Sequence, residues 1–192
     1  MADQPPAVQT PSMRRSIGQE QHSALRRRLD NVTEGVPDAA QLRLVAGLAD
    51  EHPHSIRLLL AADRERRETW AFNCHTYTFG LRDSEDVLRH VTRTVFPNAA
   101  YVEWLLAHVL VETDGPANGE FVIYFNGVTV RHSGIWMGGR VQSKWGTGHL
   151  WEHALHEVPL RYGDEVGFFC AVPAERCIAA FVVFARSGAP RA

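Results

Sequence analysis

The feature that most constrains the fold of this chain is a change of residue pattern at segment 114–119, DGPANG. Before this segment, apolar residues recur at helical spacings of three and four, whereas after it β-branched and aromatic residues dominate. The glycines, proline, asparagine and aspartate of the segment itself make it a turn-forming joint. Helices followed by a run of strands predict an α+β fold, with N-terminal helices and an antiparallel sheet meander.

Helices are predicted at six places before the joint, from apolar periodicity and from capping residues. Their ranges or starting points are 17–31, Pro37-Asp38, 55–67, Asn73, Ser84 and Pro97. Five strands are predicted, at 120–126, 129–137, 140–145, 166–172 and 178–185. Gly138-Gly139 suits a tight hairpin between the second and third strands, and this hairpin puts Trp145 opposite His132 with Ser143 on the same face.

Charge and cysteine content limit the classes of partner and of compartment. A net charge of −2 and an isoelectric point near 6.5 give no overall attraction for nucleic acid or for anionic membranes. Three cysteines without a CxxC pair do not make a disulfide framework, which favours a reducing compartment. The first thirty residues hold no apolar core of signal-peptide length, and the longest apolar run, 178–185, is too short to cross a bilayer. We therefore expect a cytoplasmic protein, with export without a cleavable signal left open.

Cys74 is the residue whose surroundings most suggest chemistry. It directly follows Asn73, a good N-cap residue, so a helix that starts here places the thiol at a helix N-terminus, where a thiol pKa is lowered. A thiol becomes a useful nucleophile when a base lies beside it. The best candidate for that base is His132 in the predicted strand 129–137, where Gly134 leaves room for a close approach. Taken alone, a single cysteine or histidine is also explained as an ordinary structural residue.

Several motifs in the same order resemble the NlpC-type papain-like cysteine peptidases, in a poorly characterised bacterial branch. They are NCHTYTFG (73–80), GEFVIY (119–124), HSGIW (132–136), SKWGTGHLWEH (143–153) and VPLRYGD (158–164). The resemblance covers roughly residues 70–172. It implies a nucleophile at the start of a helix packed on a small antiparallel sheet, followed by a His-x-Gly strand. Glu120 stands where that family usually has aspartate.

The resemblance implies a cysteine-dependent hydrolase or acyltransferase that acts on amide or peptide-type bonds through a Cys74–His132 dyad and an acyl-enzyme. It implies no cofactor and no metal. Ser143 falls where a third, polar residue would orient the imidazole, and His149 and His153 are alternatives for that role. The backbone N–H of Cys74 would supply one oxyanion donor. The substrate would be a peptide or amide of open identity.

Two other functions stay open on the sequence. One is a catalytically inactive papain-like fold that serves as a binding or interaction domain. The other is a metal-binding regulator, because His149, His153 and His156 are four and three residues apart and would share one face of a helix. The same segment also alternates as an edge strand would, and it contains no HExxH motif.

Four parts are predicted along the chain. They are a disordered lead at 1–12, a helical N-terminal extension at 13–69, a papain-like cysteine hydrolase-type domain at 70–186 and a flexible tail at 187–192. The extension carries an arginine cluster that we expect to form a solvated helix face, with docking of a protein partner as the alternative. Its members are Arg14, Arg15, Arg26, Arg27 and Arg28. Lys144, the only lysine of the chain, is expected to point outward from the sheet, with an electrostatic role near the candidate site as the alternative.

Overall fold

The computed structural model describes residues 15–16, 23–62, 73–92 and 94–187. Several predictions lie outside the described residues: the lead at 1–12, the start of the helix at 17–31, residues 63–67 of the third helix and most of the tail. Within the described ranges, no helix combines the length and the apolar character that a membrane crossing needs.

Six α-helices lie within the described residues, and side chains cap three of them. They are α1 (Ser23–Thr33), α2 (Asp38–Gly47), α3 (Cys74–Thr78), α4 (Glu85–His90), α5 (Ala99–His108) and α6 (Ala174–Arg186), with short 3₁₀ turns at Leu48–Asp50 and Leu160–Tyr162. Asn73, Ser84 and Asn98 cap α3, α4 and α5, each by accepting a hydrogen bond from the backbone N–H three residues on. Asn73 and Ser84 are the signals from which the starts of α3 and α4 were predicted, whereas the start of α5 was predicted from Pro97, the residue before its cap.

Eight strands of the described part form one antiparallel sheet. They are β1 (Arg15–Ser16), β2 (Arg57–Leu60), β3 (Glu112–Thr113), β4 (Phe121–Asn126), β5 (Thr129–Met137), β6 (Arg140–Lys144), β7 (Leu150–His153) and β8 (Glu165–Phe169). The order across the sheet is β1-β8-β4-β5-β6-β7-β2, and β3 also pairs with β8. Strands β4 to β7 are consecutive neighbours, as in a meander. The predicted α+β class with an antiparallel sheet is therefore confirmed.

The sheet separates two hydrophobic cores, because successive side chains of a strand point to opposite faces. On the front face, Ile123 and Phe125 of β4 pack in one cluster with Phe181 of α6. On the back face, Tyr124 of β4 belongs to a second cluster that includes Leu29 of α1 and further residues of α2. Helices α1 and α2 thus cover the back of the same sheet whose front carries α5 and α6.

The hairpin between β5 and β6 has the predicted turn and register. Gly138 and Gly139 both have positive φ, at 58° and 84°, which glycine adopts without steric cost. Ile135 pairs with Gln142, which is the register that places Ser143 opposite Gly134. The bounds of β5 agree with the predicted strand, and β6 ends one residue earlier than predicted.

Two secondary-structure predictions were wrong. The segment 178–185 was predicted as a strand from its β-branched and aromatic residues, but it lies inside helix α6. The buried residues of α6 are Cys177, Ala180, Phe181 and Phe184, which are spaced as one face of a helix requires. Residues 57–60 of the predicted helix 55–67 instead form β2, which pairs with β7 at the edge of the sheet.

The arginine cluster also differs from the predicted solvated face. Arg27 and Arg28 are exposed as expected, but Arg26 is buried, with 3% of its surface accessible. Its guanidinium donates hydrogen bonds to the carbonyls of Val158 and Gly163. Arg26 therefore joins α1 to the segment that leads into β8.

Candidate active site

Cys74 is the first residue of α3, as predicted from Asn73. The Asn73 side-chain oxygen accepts a hydrogen bond from the Thr76 N–H at 2.9 Å, and its amide nitrogen donates to the Pro97 carbonyl at 2.7 Å. The first bond caps the helix, and the second ties the helix start to the segment that precedes α5. The backbone of Cys74 is therefore fixed from both sides.

The Cys74 thiol is protonated at neutral pH, because burial raises its pKa to about 11. Only 8% of the residue is exposed. The backbone N–H groups of Ser133, His75 and Cys74 itself oppose this rise in pKa, and the charge of Lys144 opposes it to a smaller extent. The N–H groups favour a negative sulfur but do not outweigh its burial.

His132 lies fully buried in β5, on the back face of the sheet. It pairs with Tyr124 of β4, and its imidazole stacks on Tyr162 with ring centroids 3.9 Å apart and planes 6° apart. Neither ring nitrogen has a hydrogen-bond partner among the described residues. Burial lowers the pKa of His132 well below its ordinary value, and the charge of Arg161 lowers it further, as do His153 and His75 when they are protonated. The imidazole is therefore neutral at pH 7.

Helix α3 packs with Cys74 on the front side of β5, whereas the His132 side chain of the same strand points to the back face, and no hydrogen bond joins the two side chains. The backbone N–H of Ser133, the residue after His132, helps to lower the pKa of the Cys74 thiol. No hydrogen bond joins that sulfur to either ring nitrogen of His132. A neutral thiol and a neutral imidazole are the resting forms of both groups, so the Cys74–His132 dyad stays a prediction at this point.

The candidates for a third residue have other partners. The Ser143 hydroxyl bonds to His153 Nε2 at 2.8 Å, and His153 Nδ1 bonds to the Ala154 carbonyl at 2.8 Å. His149 uses its Nδ1 to accept from the Ala62 N–H and its Nε2 to bond the Asp38 carbonyl. None of Ser143, His153 and His149 is therefore hydrogen-bonded to His132.

A buried polar network that the sequence did not reveal joins α3 to β5. The Ser133 hydroxyl donates to Thr78 Oγ1 at 3.0 Å and bonds to His75 Nδ1 at 2.8 Å. Because the single hydroxyl hydrogen is used on Thr78, Nδ1 of His75 carries the hydrogen of the second bond. Burial lowers the pKa of His75 to about 4. The sequence signal for this network was the i, i+3 spacing of His75 and Thr78 in a predicted helix that follows the candidate nucleophile.

Lys144 was predicted to point into solvent, but the structure buries it. The residue is 4% exposed, and its ammonium donates to the carbonyls of Thr147 and Gly148. Burial lowers its pKa to about 8, while the charges of Asp38 and Cys74 oppose that shift. Strand alternation puts Lys144 on the face opposite to Ser143, which is the front face that carries α3. Its charge therefore acts on the side of the sheet where Cys74 lies.

The histidines at 149–156 do not form a metal site in the described residues. The segment is strand β7 followed by a turn, not a helix, so the shared helix face that the metal hypothesis requires is missing. Both ring nitrogens of His149 and of His153 bond to protein atoms. The described part of the chain contains no group of three His, Cys, Asp or Glu residues arranged to hold a metal ion.

An open cavity of about 440 Å³ lies beside α3, between that helix and the edge of the sheet. Its walls combine apolar residues such as Leu60 and Leu150 with the polar residues Arg82 and Asp83. Thr76 and Tyr77, which follow the nucleophile candidate in α3, also line it. The described residues that line this cavity do not include Cys74 or His132.

Comparisons of the chain with protein-family models, with curated proteins and with solved structures found no match. The resemblance to NlpC-type peptidases and the papain-like architecture therefore stay predictions that the sequence motifs carry.

Proposed function

We propose that this protein is a cysteine-dependent hydrolase or acyltransferase of papain-like architecture, with Cys74 as nucleophile and His132 as base. One observation carries the proposal: the imidazole of His132 is fully buried with both ring nitrogens lacking partners among the described residues, in the strand β5 on which α3 packs with Cys74 at its start. Buried polar groups in proteins are nearly always hydrogen-bonded, and an exception calls for a reason. A base that must accept a proton during the reaction supplies that reason.

In the proposed reaction, the Cys74 sulfur attacks the carbonyl carbon of an amide, peptide or thioester bond while its proton moves to His132. The imidazolium gives this proton to the leaving amine or thiol, and the C–N or C–S bond breaks. Water, or another acceptor in acyl transfer, then loses a proton to His132 and attacks the acyl-enzyme. The thiol re-forms when the imidazolium protonates the released sulfur. These steps leave the oxidation state of every atom of the protein unchanged.

The negative charge that develops on the carbonyl oxygen needs hydrogen-bond donors. The backbone N–H of Cys74 is the first proposed donor. The N–H of Ser133, which helps to lower the pKa of the Cys74 thiol, is the second proposed donor.

Acylation by p-nitrophenyl acetate, a small activated ester, tests the proposal. Cys74 should be acetylated at pH 7 faster than the exposed Cys170, which serves as a reference thiol in the same chain. Replacing the base by His132→Ala should lower the rate at Cys74 about 100-fold or more and leave Cys170 unchanged. Peptide mass mapping over time gives both rates. The proposal fails if Cys74 reacts no faster than Cys170 or if His132→Ala has no effect.

The pH dependence of the same reaction has a defined direction. Because the pKa of His132 lies well below its ordinary value, the imidazole stays a competent base as the pH falls through 6.5. The acetylation rate of Cys74 should therefore hold its pH 7 value at pH 6 and decline only at more acidic pH. A decline centred at pH 6.5 would show that His132 is not the base or is not buried during the reaction.

A catalytically inactive binding domain is the second candidate, and the burial of the thiol favours it. A cysteine that is 8% exposed, with its pKa raised to about 11, also fits a small residue of the core. In that case Cys74→Ala or Cys74→Ser would leave the binding function intact. The acetylation experiment separates the two candidates, since a core cysteine would not be acetylated through His132.

A further inference from the structure

We propose that Tyr162 is the positioning residue of His132 and holds the imidazole by stacking, in the role that a hydrogen-bonding third residue was predicted to fill. This inference rests on the proposed function, because it concerns the orientation of the proposed base. It assigns a role to the VPLRYGD motif at 158–164, which the proposed reaction does not otherwise use.

The imidazole of His132 has no hydrogen bond that would fix its orientation. Its ring nitrogens are unpartnered, and the expected orienting residue Ser143 is bonded to His153 instead. The close contact of the ring is with Tyr162, with centroids 3.9 Å apart and an angle of 6° between the planes. Parallel stacking fixes the plane of the imidazole and leaves both nitrogens at its free edge. The orientation of the His132 imidazole therefore depends on stacking against the Tyr162 ring and not on a hydrogen bond.

Tyr162 itself is held firmly by elements remote in sequence. It ends the 3₁₀ turn Leu160–Tyr162, and Arg26 of α1 donates to the carbonyls of Val158 and Gly163 on either side of that turn. Arg161 forms an ion pair with Asp30 at 2.8 Å. Three residues of the turn region, Val158, Arg161 and Gly163, are thus tied to α1, which gives the N-terminal helix a part in placing the ring.

The turn is also seated directly on the sheet. Gly163 has φ +102°, and a Cβ atom at this position would clash with the carbonyl of Phe125 in β4. The next residue, Asp164, donates its N–H to the same carbonyl at 3.0 Å. Only glycine allows this approach, so the position of Tyr162 over His132 follows from the YGD sequence itself.

Tyr162 acts on His132 through its aromatic ring and not through a charge. Burial raises the pKa of Tyr162 above its ordinary value, so the group is neutral throughout the working pH range. Its hydroxyl has no hydrogen-bond partner among the described residues. The charged and titratable groups that act on His132 are His153, His75 and Arg161, all of which act in the same direction on its pKa. Phenylalanine should therefore replace Tyr162, and an aliphatic residue should not.

Two variants and a matched control test the inference by acetylation of Cys74 with p-nitrophenyl acetate. We expect Tyr162→Phe to keep the rate within about twofold of the unmodified chain. Tyr162→Leu should lower it about tenfold or more, since small errors in the orientation of a reacting group cost this much. Tyr101→Leu removes a buried tyrosine on the front face and should not change the rate in the folded protein. Equal rates for Tyr162→Leu and the unmodified chain would overturn the inference, and so would a Tyr162→Phe rate as low as that of Tyr162→Leu.

Nuclear magnetic resonance of the histidine rings gives a readout that needs no catalysis and no destabilised variant. In the unmodified chain and in Tyr162→Phe, the ring protons of His132 should be shifted upfield by the aromatic ring stacked on them, and an ordinary shift would overturn the stacking. Failure of the proposed function can be told apart from failure of this inference. If the proposed function is wrong, His132→Ala will not change the acetylation rate of Cys74. If His132→Ala slows the reaction and Tyr162→Leu does not, the base is right and its positioning residue is wrong.

Discussion

At the scale of single residues, the candidate reacting groups differ from a preformed thiolate–imidazolium pair. Burial raises the pKa of Cys74 and lowers the pKa of His132, so both shifts favour the neutral forms. In the proposed reaction, proton transfer then has to accompany the attack of the sulfur on a carbonyl carbon. The proposed reaction therefore depends on how the helix start and the imidazole are held.

The cap of α3 is where this dependence can be tested at a single residue. Asn73→Ala removes the bond to the Thr76 N–H and should cost roughly 0.5–2 kcal/mol of unfolding free energy. Asn98→Ala is the matched control, since Asn98 caps α5 in the same way by accepting from the Tyr101 N–H at 3.1 Å. Urea unfolding should show a loss for both variants, larger for Asn73→Ala because it also removes the bond to the Pro97 carbonyl, but only Asn73→Ala should slow acetylation of Cys74. Equal acetylation rates would mean that the cap does not position the nucleophile.

The candidate site could be predicted from sequence as far as local signals reach. Asn73 before Cys74 indicated the helix start, and Gly138-Gly139 indicated the hairpin that sets the register of His132. Tyr162 could not be found this way, because its contact with His132 depends on a turn thirty residues away in the chain. Ser143 was placed on the correct face, but its bond to His153 depends on β7, whose strand or helix state the sequence left open.

At the scale of elements, helix α6 shows how composition misled the prediction. The segment 178–185 contains isoleucine, valine and phenylalanine, which are typical of strands. The burial pattern decides otherwise, since Phe181 and Phe184 face the front core while Val183 is 55% exposed. A strand would have put positions 181 and 183 on the same face. Packing against α4 and α5 outweighs the intrinsic preference of the β-branched residues.

A pair of substitutions distinguishes the two structures of this segment. Phe181→Ala should cost about 3–5 kcal/mol of unfolding free energy, because it removes a fully buried ring from the front core. Val183→Ala should change the unfolding free energy by less than about 0.5 kcal/mol, since its side chain is largely exposed. Urea titrations followed by tryptophan fluorescence measure both. Comparable losses at the two positions would support the strand and contradict helix α6.

At the scale of the whole molecule, the sheet separates two cores, and polar groups are buried on both of its faces. His75 and Ser133 lie toward the front, whereas His132, Ser143 and His153 lie toward the back beneath α1 and the turn that it holds. Residues 23–47 cover the back face of the sheet. For this reason the N-terminal region, which lies outside the resemblance to NlpC-type peptidases, packs closely against the candidate site. The buried imidazoles are the cost of this arrangement, since each must stay neutral for the fold to persist.

Acid should therefore destabilise the protein in a defined range of pH. The pKa values of His75 and His153 are lowered to about 4, so between pH 6.5 and 4 the unfolded chain binds more protons than the folded one, and stability falls as the pH falls. Each of these histidines should remove about 2 kcal/mol of unfolding free energy between pH 7 and pH 5. Urea unfolding at the two pH values measures this loss, and His153→Asn should reduce it by about 2 kcal/mol. The exposed His108 provides the control, because His108→Asn should leave the loss unchanged. A loss that His153→Asn does not reduce would show that His153 is protonated without unfolding and that the back core admits a charge.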